Sequence, residues 1–258
     1  MKYNTLKAYR EILKRDFKLS PATALSYYKA MDALLSDQHI LDIKKMSLDG
    51  VIARLKAIEH KSMYSKHKNA FLYFCKFTGF EIDKKTHSLL DEMHHDKKKQ
   101  RRKLKHTNIV EVKGKIDNIR DRKLKLSYET MLNSGLRVSE LSQIKRDDCT
   151  VSDSKITFDF IGKGQRPERV SITRSRNDRL YNALLGLISD TKDNANLFYS
   201  TPYLQKEATP RGFGCHDLRR AFAKGVYRET KSIAKTREAL RHKKKRTTKI
   251  YLNSKVVI

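Results

Sequence analysis

A run of charge near the middle of the chain most constrains how it can fold. Asp96-Lys97-Lys98-Lys99-Gln100-Arg101-Arg102-Lys103-Leu104-Lys105-His106 holds seven Lys or Arg in eleven residues. Such a block repels itself and offers little to bury, so it reads as a linker and not as core. The chain is therefore expected to fold as two bodies, 1–95 and 108–258, joined by a basic linker over 96–107. Its 258 residues suffice for two ordinary domains.

The formal charge is +28. Self-repulsion of that size is a pure cost unless a polyanion is the partner, and nucleic acid is the first choice. A membrane surface is the rival, but neither end carries an isolated basic amphipathic helix. No apolar run nears the roughly 18 residues of a membrane span. The start, Met1-Lys2-Tyr3-Asn4-Thr5-Leu6-Lys7, lacks the apolar core of a signal peptide. Cys75, Cys149 and Cys215 are scattered and odd in number. They read as reduced thiols, which points to a cytoplasmic protein, nucleoid-associated if prokaryotic.

The first 95 residues read as helices only. Leu6, Tyr9, Leu13 and Phe17 form one stripe. Ser20-Pro21 reads as an N-cap followed by proline in the first turn, and Ala24, Tyr28, Met31 and Leu35 continue from it. Ser47 is a cap for Leu48, Val51, Ile52 and Leu55. Ser62 is expected to open a fourth helix with Met63, Ala70, Phe71, Phe74 and Phe77 inward, ended by a left-handed Gly79. Lys61, Lys66, His67, Lys68 and Lys76 decorate that helix. Lys66 and Lys68, with Lys97, Lys98, Lys99, Arg101, Arg102 and Lys103 of the linker, are expected to meet DNA phosphates.

Beyond Thr107 the pattern changes. Leu124, Tyr128, Met131 and Leu132 make a helix stripe with Gly135 just past its end. Arg137 follows that turn, and Val138, Leu141 and Ile144 begin another helix. Ile156, Phe158 and Phe160 alternate with Thr157 and Asp159, the period of a half-buried strand. Gly162-Lys163-Gly164-Gln165 turns the chain, and Val170 and Ile172 alternate on the way back. Lys163 thus sits at a hairpin tip. Leu180, Ala183, Leu184, Leu187 and Ile188 mark one more helix.

The last third carries the chemistry. Leu218, Ala221, Phe222, Gly225 and Val226 fall on one helical stripe, with His216 and Arg219 about 60° apart on its flank. Thr247 or Thr248 is expected to cap a short helix that presents Tyr251, nine residues past His242. Each item alone is an ordinary surface feature. Together they offer two imidazoles, guanidinium groups and a phenol, an inventory for gripping and attacking a phosphodiester.

Taken in order, Asn133-Ser134-Gly135-Leu136-Arg137-Val138-Ser139-Glu140-Leu141, Gly162-Lys163-Gly164, His216-Asp217-Leu218-Arg219, His242 and Tyr251 resemble the motifs of the tyrosine recombinases, or phage-type integrases. The motifs lie over about 108–251, and the N-terminal helices look like that family's core-binding domain. The resemblance implies a mainly α fold with a small β-sheet or hairpin in the catalytic domain. It implies a site-specific recombinase that cleaves and rejoins DNA through a 3′-phosphotyrosine and a Holliday junction, without metal or ATP. Double-stranded DNA bearing a specific site is the implied partner, bound by a homo-tetramer on paired sites. No cofactor is implied.

By that resemblance Tyr251 is the nucleophile, Arg137 and Arg219 clamp the scissile phosphate, and Lys163 protonates the leaving 5′ oxygen. His216 assists proton transfer, His242 hydrogen-bonds the phosphate, and Glu140 steadies the site. The residue types suit these tasks. A phenol has a pKa near 10, so only about one in a thousand is ionised at neutral pH without help from cations and a base. A guanidinium fork matches two phosphate oxygens, as an ammonium cannot. An alkoxide is a poor leaving group unless protonated.

The chain also departs from the pattern. Leu240-Arg241-His242 stands where the family usually has Leu-Gly-His, and Arg220 stands where it often has His or Asn. Seven residues follow Tyr251, too few for the docking helix of many relatives. The β-branched end of Lys255-Val256-Val257-Ile258 is expected either to add as an edge strand near the site, in its own or a neighbouring protomer, or to fray as chain ends usually do. Two rival readings are a type IB topoisomerase, which shares the arginine, lysine, histidine and tyrosine set, and a non-catalytic DNA-binding protein that keeps the fold. A metal-dependent nuclease lacks its carboxylate clusters here.

Overall fold

The computed structural model describes residues 2–36, 47–97, 107–254 and 256–257. The chain divides into two compact units, Met1–Lys103 and Leu104–Ile258.

The described part of the first unit is helical: α1 (Lys2–Arg15), α2 (Pro21–Leu34), α3 (Leu48–Ala57), α4 (Lys61–Thr78) and α5 (Lys84–Asp96). Side-chain caps fix the starts. Ser20 accepts from the Thr23 amide, Ser47 from Gly50 and Asp83 from Thr86. Gly79, at φ 69°, ends α4 in the left-handed region. Helix α4 is the hub, packing against α1, α2, α3 and α5. Its Tyr64, Phe71 and Phe74 join Leu6, Tyr9, Leu13, Met31, Val51, Leu55 and Leu90 in one core. The two buried phenols are satisfied, Tyr9 by the Ala70 carbonyl at 2.7 Å and Tyr64 by that of Leu90 at 2.8 Å.

Three expectations are corrected here. Helix α4 starts before Ser62, with His60 at the N-cap and no side-chain cap. Met63 faces outward, 46% exposed. His67 is buried and bonded through Nδ1 to the Met63 carbonyl at 2.8 Å, so it is not a surface cation. Burial also lowers its pKa, against a smaller upward push from that bond.

The second unit runs β1 (Thr107–Asn108), α6 (Ile109–Asp117), α7 (Arg122–Ser134), α8 (Val138–Leu141), β2 (Cys149–Ser152), β3 (Lys155–Gly162), β4 (Arg166–Thr173), α9 (Asp178–Asp190), α10 (Thr201–Ala208), α11 (Cys215–Thr230), α12 (Ile233–Ala239), α13 (Lys245–Leu252) and β5 (Val256–Val257). Helix α7 is its centre and packs on α6, α8, α9, α11 and β4. The hairpin of β3 and β4 gains a third antiparallel strand, β2, in the order β2-β3-β4. Phe158 stands opposite Val170 on one side and Cys149 on the other. Ile156, Phe158, Phe160 and Ile172 meet Leu124, Tyr128 and Met131 of α7, Leu180 and Leu184 of α9 and Leu218 of α11 in a single core. The chain's tail strand, β5, pairs in parallel with β1 of the same chain, Val256 opposite Thr107, and lies against α11. The helix expected from Val138 through Ile144 is only the one turn of α8, because residues beyond it turn into a bridge between Lys145 and Asn196.

Helix α7 stops at Gly135, φ 63°, whose missing Cβ would overlap the Phe222 ring of α11. Gly135→Ala therefore meets both a backbone and a packing penalty, together about 3 kcal/mol of stability. Urea unfolding should show a lower midpoint at unchanged slope.

Candidate active site

The turn at Gly135 aims the chain so that Leu136 goes into the core and Arg137 becomes the N-cap of α8. Glu140, third in that short helix, accepts from the Arg137 amide at 2.9 Å and also ion-pairs with its guanidinium. Glu140 is 3% exposed. Burial alone would raise its pKa, but the Arg137 amide and guanidinium and the nearby Arg219 charge outweigh it and hold the carboxyl below its ordinary value.

Arg219 comes from α11 and is fully buried. The expected place on the flank of the helix is thus corrected: Arg219 lies on the inward side with Leu218 and Ala223. It donates to the Gly135 carbonyl, to the Leu240 carbonyl at 2.5 Å, and sits 3.6 Å from Glu140 Oε2. A buried guanidinium costs several kcal/mol to desolvate unless it is paired and bonded in this way. Burial and then the Arg137 charge bring its pKa down to about 10. Its Nε is buried without a protein partner.

Leu240 is buried at the end of α12, Arg241 follows at φ 55°, and His242 is then turned inward at 7% exposed. His242 Nδ1 lies 3.1 Å from the Thr248 hydroxyl, and Nε2 is buried without a partner. Thr248 is therefore an interior residue of α13 and not its cap, and neither is Thr247; the N-cap is Lys244. Burial, then Arg219, Arg137 and Arg241, drive the His242 pKa down to about 4.

Tyr251 is 7% exposed, and its ring stands edge-on to His242, with centroids 4.8 Å apart. Its hydroxyl lies 2.6 Å from His216 Nε2, in the first turn of α11. His216 is exposed to solvent, yet the protein packed around it, then the charges of Arg220 and Arg219, lower its pKa. Burial first and the neighbouring cations second thus shift both imidazoles toward the neutral form.

Arg241 is the residue that sequence reasoning flagged only as a departure. Its left-handed backbone is one that an L residue adopts at a cost of about 1 kcal/mol. Its guanidinium reaches the Gly135 carbonyl at 3.4 Å and Glu140 Oε2 at 3.5 Å, and ion-pairs with Glu168 at 3.0 Å. Burial and neighbouring Arg137 lower its pKa against the upward pull of Glu140 and Glu168, burial being the largest effect. The motif wording Leu-Arg-His was the sequence signal for it. Thr248 gave no such signal.

Arg137, Glu140, Arg219, His216, His242 and Tyr251 thus converge around α8, α11 and α13. Lys163 stands apart on the exposed turn between β3 and β4, a three-residue tip in which Gly164 and Gln165 take φ of 87° and 56°. Of the residues expected at DNA phosphates, Lys66 is exposed on α4. Lys68 pairs with Asp91 at 2.5 Å. Lys97 donates to the Lys56 carbonyl at 2.6 Å and lies over the Tyr64 ring. Lys98, Lys99, Arg101, Arg102 and Lys103 lie outside the described residues. Among the described residues no cluster of three or more His, Cys, Asp or Glu is placed to hold a metal ion, and no helix is long and apolar enough to cross a membrane.

No protein-family profile matches the sequence, and no curated protein matches it. Solved structures do. A lambda integrase fragment, in a dimer bound to a COC′ core site, is similar with a TM-score of 0.63 at 14% identity, over 97% of this chain and 95% of that one. The Tn1549 transposon integrase in complex with circular intermediate DNA gives 0.59 at 14% identity, over 96% and 94%. The XerH site-specific recombinase bound to its difH substrate gives 0.58 at 18% identity, over 89% and 74%. The fold is therefore that of the tyrosine recombinases, mostly helical with a small antiparallel sheet.

The depressed histidine makes stability depend on pH. Unfolded, this imidazole titrates near its ordinary 6.5; folded, His242 titrates at about 4. The unfolded chain binds more protons between those values, so the stability contribution is complete above 6.5 and is lost as pH falls toward 4. From pH 7 to pH 5 the loss through His242 is about 2 kcal/mol. Urea unfolding at the two pH values should show a drop smaller by that amount in His242→Asn.

Proposed function

We propose that this chain is a site-specific DNA recombinase that breaks and rejoins strands through a phosphotyrosine. The observation that carries this reading is the Tyr251 hydroxyl, 2.6 Å from His216 Nε2, beside a buried arginine–carboxylate cluster. With its own proton on Nδ1, His216 accepts the phenol's hydrogen bond and then its proton as the oxygen attacks phosphorus.

The cations supply the rest. Arg137 and Arg219 neutralise the oxygens of the pentavalent transition state, and one such donor is worth about 3–4 kcal/mol by analogy with oxyanion sites. Arg219 Nε and His242 Nε2, both buried without a protein partner, are suitable donors to phosphate oxygens. With the Thr248 hydroxyl donating to Nδ1, the His242 proton resides on Nε2, the geometry of a neutral donor. Glu140 holds both arginines in place. The Lys163 ammonium gives a proton to the departing 5′ oxygen. The phosphotyrosine keeps the energy of the phosphodiester, so a 5′ hydroxyl from a second strand reverses the steps without ATP. The exposed Lys66 and the basic run from Lys97 to Lys103 are assigned to the DNA backbone. Exchange between two duplexes calls for four protomers and a Holliday junction.

On a nicked duplex carrying its site, the protein should form a denaturation-resistant adduct through a 3′ phosphate, unaffected by EDTA. Tyr251→Phe should bind the same DNA and form none. An adduct that survives in that variant removes Tyr251 from the role. Relaxation of supercoiled plasmid by monomers, with no exchange between sites, would instead favour the topoisomerase reading.

Lys163→Ala should cleave an ordinary site on the order of 100-fold more slowly, the lower range of general-acid effects. A 5′-bridging phosphorothioate should restore most of that rate, because sulfur leaves without a proton. Absence of rescue assigns Lys163 to phosphate binding alone.

A further inference from the structure

The charge ladder of the site does not end at the arginine pair. Glu168 lies on β4 directly across from Phe160 of β3, two residues from the end of the hairpin. Arg241 grips the base of this hairpin in two ways. Its guanidinium ion-pairs with Glu168 at 3.0 Å and lies over the Phe160 ring at 5.4 Å. Both partners are largely buried, 13% and 18% exposed at their side chains. On its other side the same guanidinium reaches Glu140 and the Gly135 carbonyl, the groups that hold Arg137 and Arg219. The Glu168 carboxylate in turn packs on Gly162, where any Cβ would collide with it. Lys163 is the next residue.

We propose that Arg241 and Glu168 are positioning residues that fix the hairpin carrying Lys163 to the arginine cluster. This rests on the recombinase reading. Without the pair, Lys163 rides on a turn held by the packing of β3 and β4 on α7, α8 and α9. With it, the strand that precedes Lys163 is pinned to the same carboxylate that holds the clamp. An unbranched ammonium at this position could not reach both carboxylates and cover the ring, so the guanidinium type matters. It also explains why a bulky residue is retained at φ 55°, where glycine fits without strain.

The test uses the full chain and three variants. Arg241→Gly suits the local backbone, so it keeps the turn while cutting the ladder. Glu168→Gln breaks only the hairpin side, and Arg241→Lys keeps the charge without the fork. Hydrogen exchange of the DNA-free protein should show faster exchange from Gly162 to Arg166 in the first two. On its DNA site, Arg241→Gly should cleave an ordinary phosphodiester on the order of 100-fold more slowly, the cost of a misplaced catalytic group. The 5′-bridging phosphorothioate should bring it within about threefold of the unaltered protein, since no proton is then needed. Glu168→Gln should show the same pattern more weakly, and Arg241→Lys should fall between. Equal slowing on both substrates would mean that Arg241 serves the phosphate clamp and would overturn the proposal, as would unchanged exchange in the hairpin. The exchange measurement stands whether or not the chain cleaves DNA. A wild-type chain that forms no adduct therefore counts against the recombinase reading, and the coupling of Arg241 to the hairpin is still decided.

Discussion

One carboxylate shared among three guanidiniums governs the second unit. Glu140 contacts Arg137, Arg219 and Arg241, and all but Arg137 are nearly sealed from solvent. Glu168 adds a second negative charge only at the far side of Arg241. The buried cluster therefore carries excess positive charge in a medium where repulsion is screened far less than in water. Each ion also bears a desolvation cost of several kcal/mol. The packing around α7 and α11 must cover that cost, which is why Gly135 and Leu240 lend backbone carbonyls to Arg219. An anion of two oxygens in this place relieves the repulsion that the fold otherwise tolerates. An affinity for an anion thus follows from the electrostatic imbalance, and under the proposed function that anion is the phosphodiester to be cut.

The same charges act with burial on the two histidines. Burial is the largest influence on each, and the arginine charges add to it. His216 is shifted toward the neutral form beside the phenol, which under the proposed function suits a ring that takes a proton. His242 is shifted the same way with Thr248 at one nitrogen, which under that function suits a ring that donates from the other. A bound phosphate would cancel part of the arginine field and raise both values. Under the proposed function His216 would then become a stronger base when the phosphorus is in reach, and the arginines would couple acid–base readiness to substrate charge without any moving part.

The sequence made much of this legible where local chemistry decides structure. Ser20 and Ser47 cap helices and Gly79 and Gly135 end them, because one side chain or one missing Cβ settles each boundary. The alternation of Ile156, Phe158 and Phe160 gives the central strand for the same reason. What escaped was decided by tertiary context. Helices α5, α6 and α10 are short and polar, and their stripes hold two or three buried residues each. Strand β2 is four residues, three of them exposed. Arg219 reads as a flanking charge on the helical wheel, and the carbonyls of Gly135 and Leu240, 84 and 21 residues away, with the Glu140 carboxylate, make its burial tolerable. Thr248 reads as a cap because threonine favours that position, yet His242 claims its hydroxyl inside the helix.

The positive charge of the chain is used in two physically distinct ways. The arginines of the site are few, buried and fixed by neighbours that satisfy most of their donors. Lys66 is exposed, and Lys68 meets Asp91, whose side chain is 70% exposed. A surface pair of that kind is weak and screened by salt. A phosphate can replace Asp91 as the partner at little cost, whereas it cannot replace Glu140 beneath Arg219. Lys97 is spent on the Lys56 carbonyl and the Tyr64 ring, so it anchors the start of the basic run to the first unit as much as it offers charge. Under the proposed function, binding strength over many phosphates rests on exchangeable surface cations and follows counterion release. Selection of the one phosphate to be attacked then rests on the buried, positively charged cluster around Glu140, whose ion pairs do not exchange.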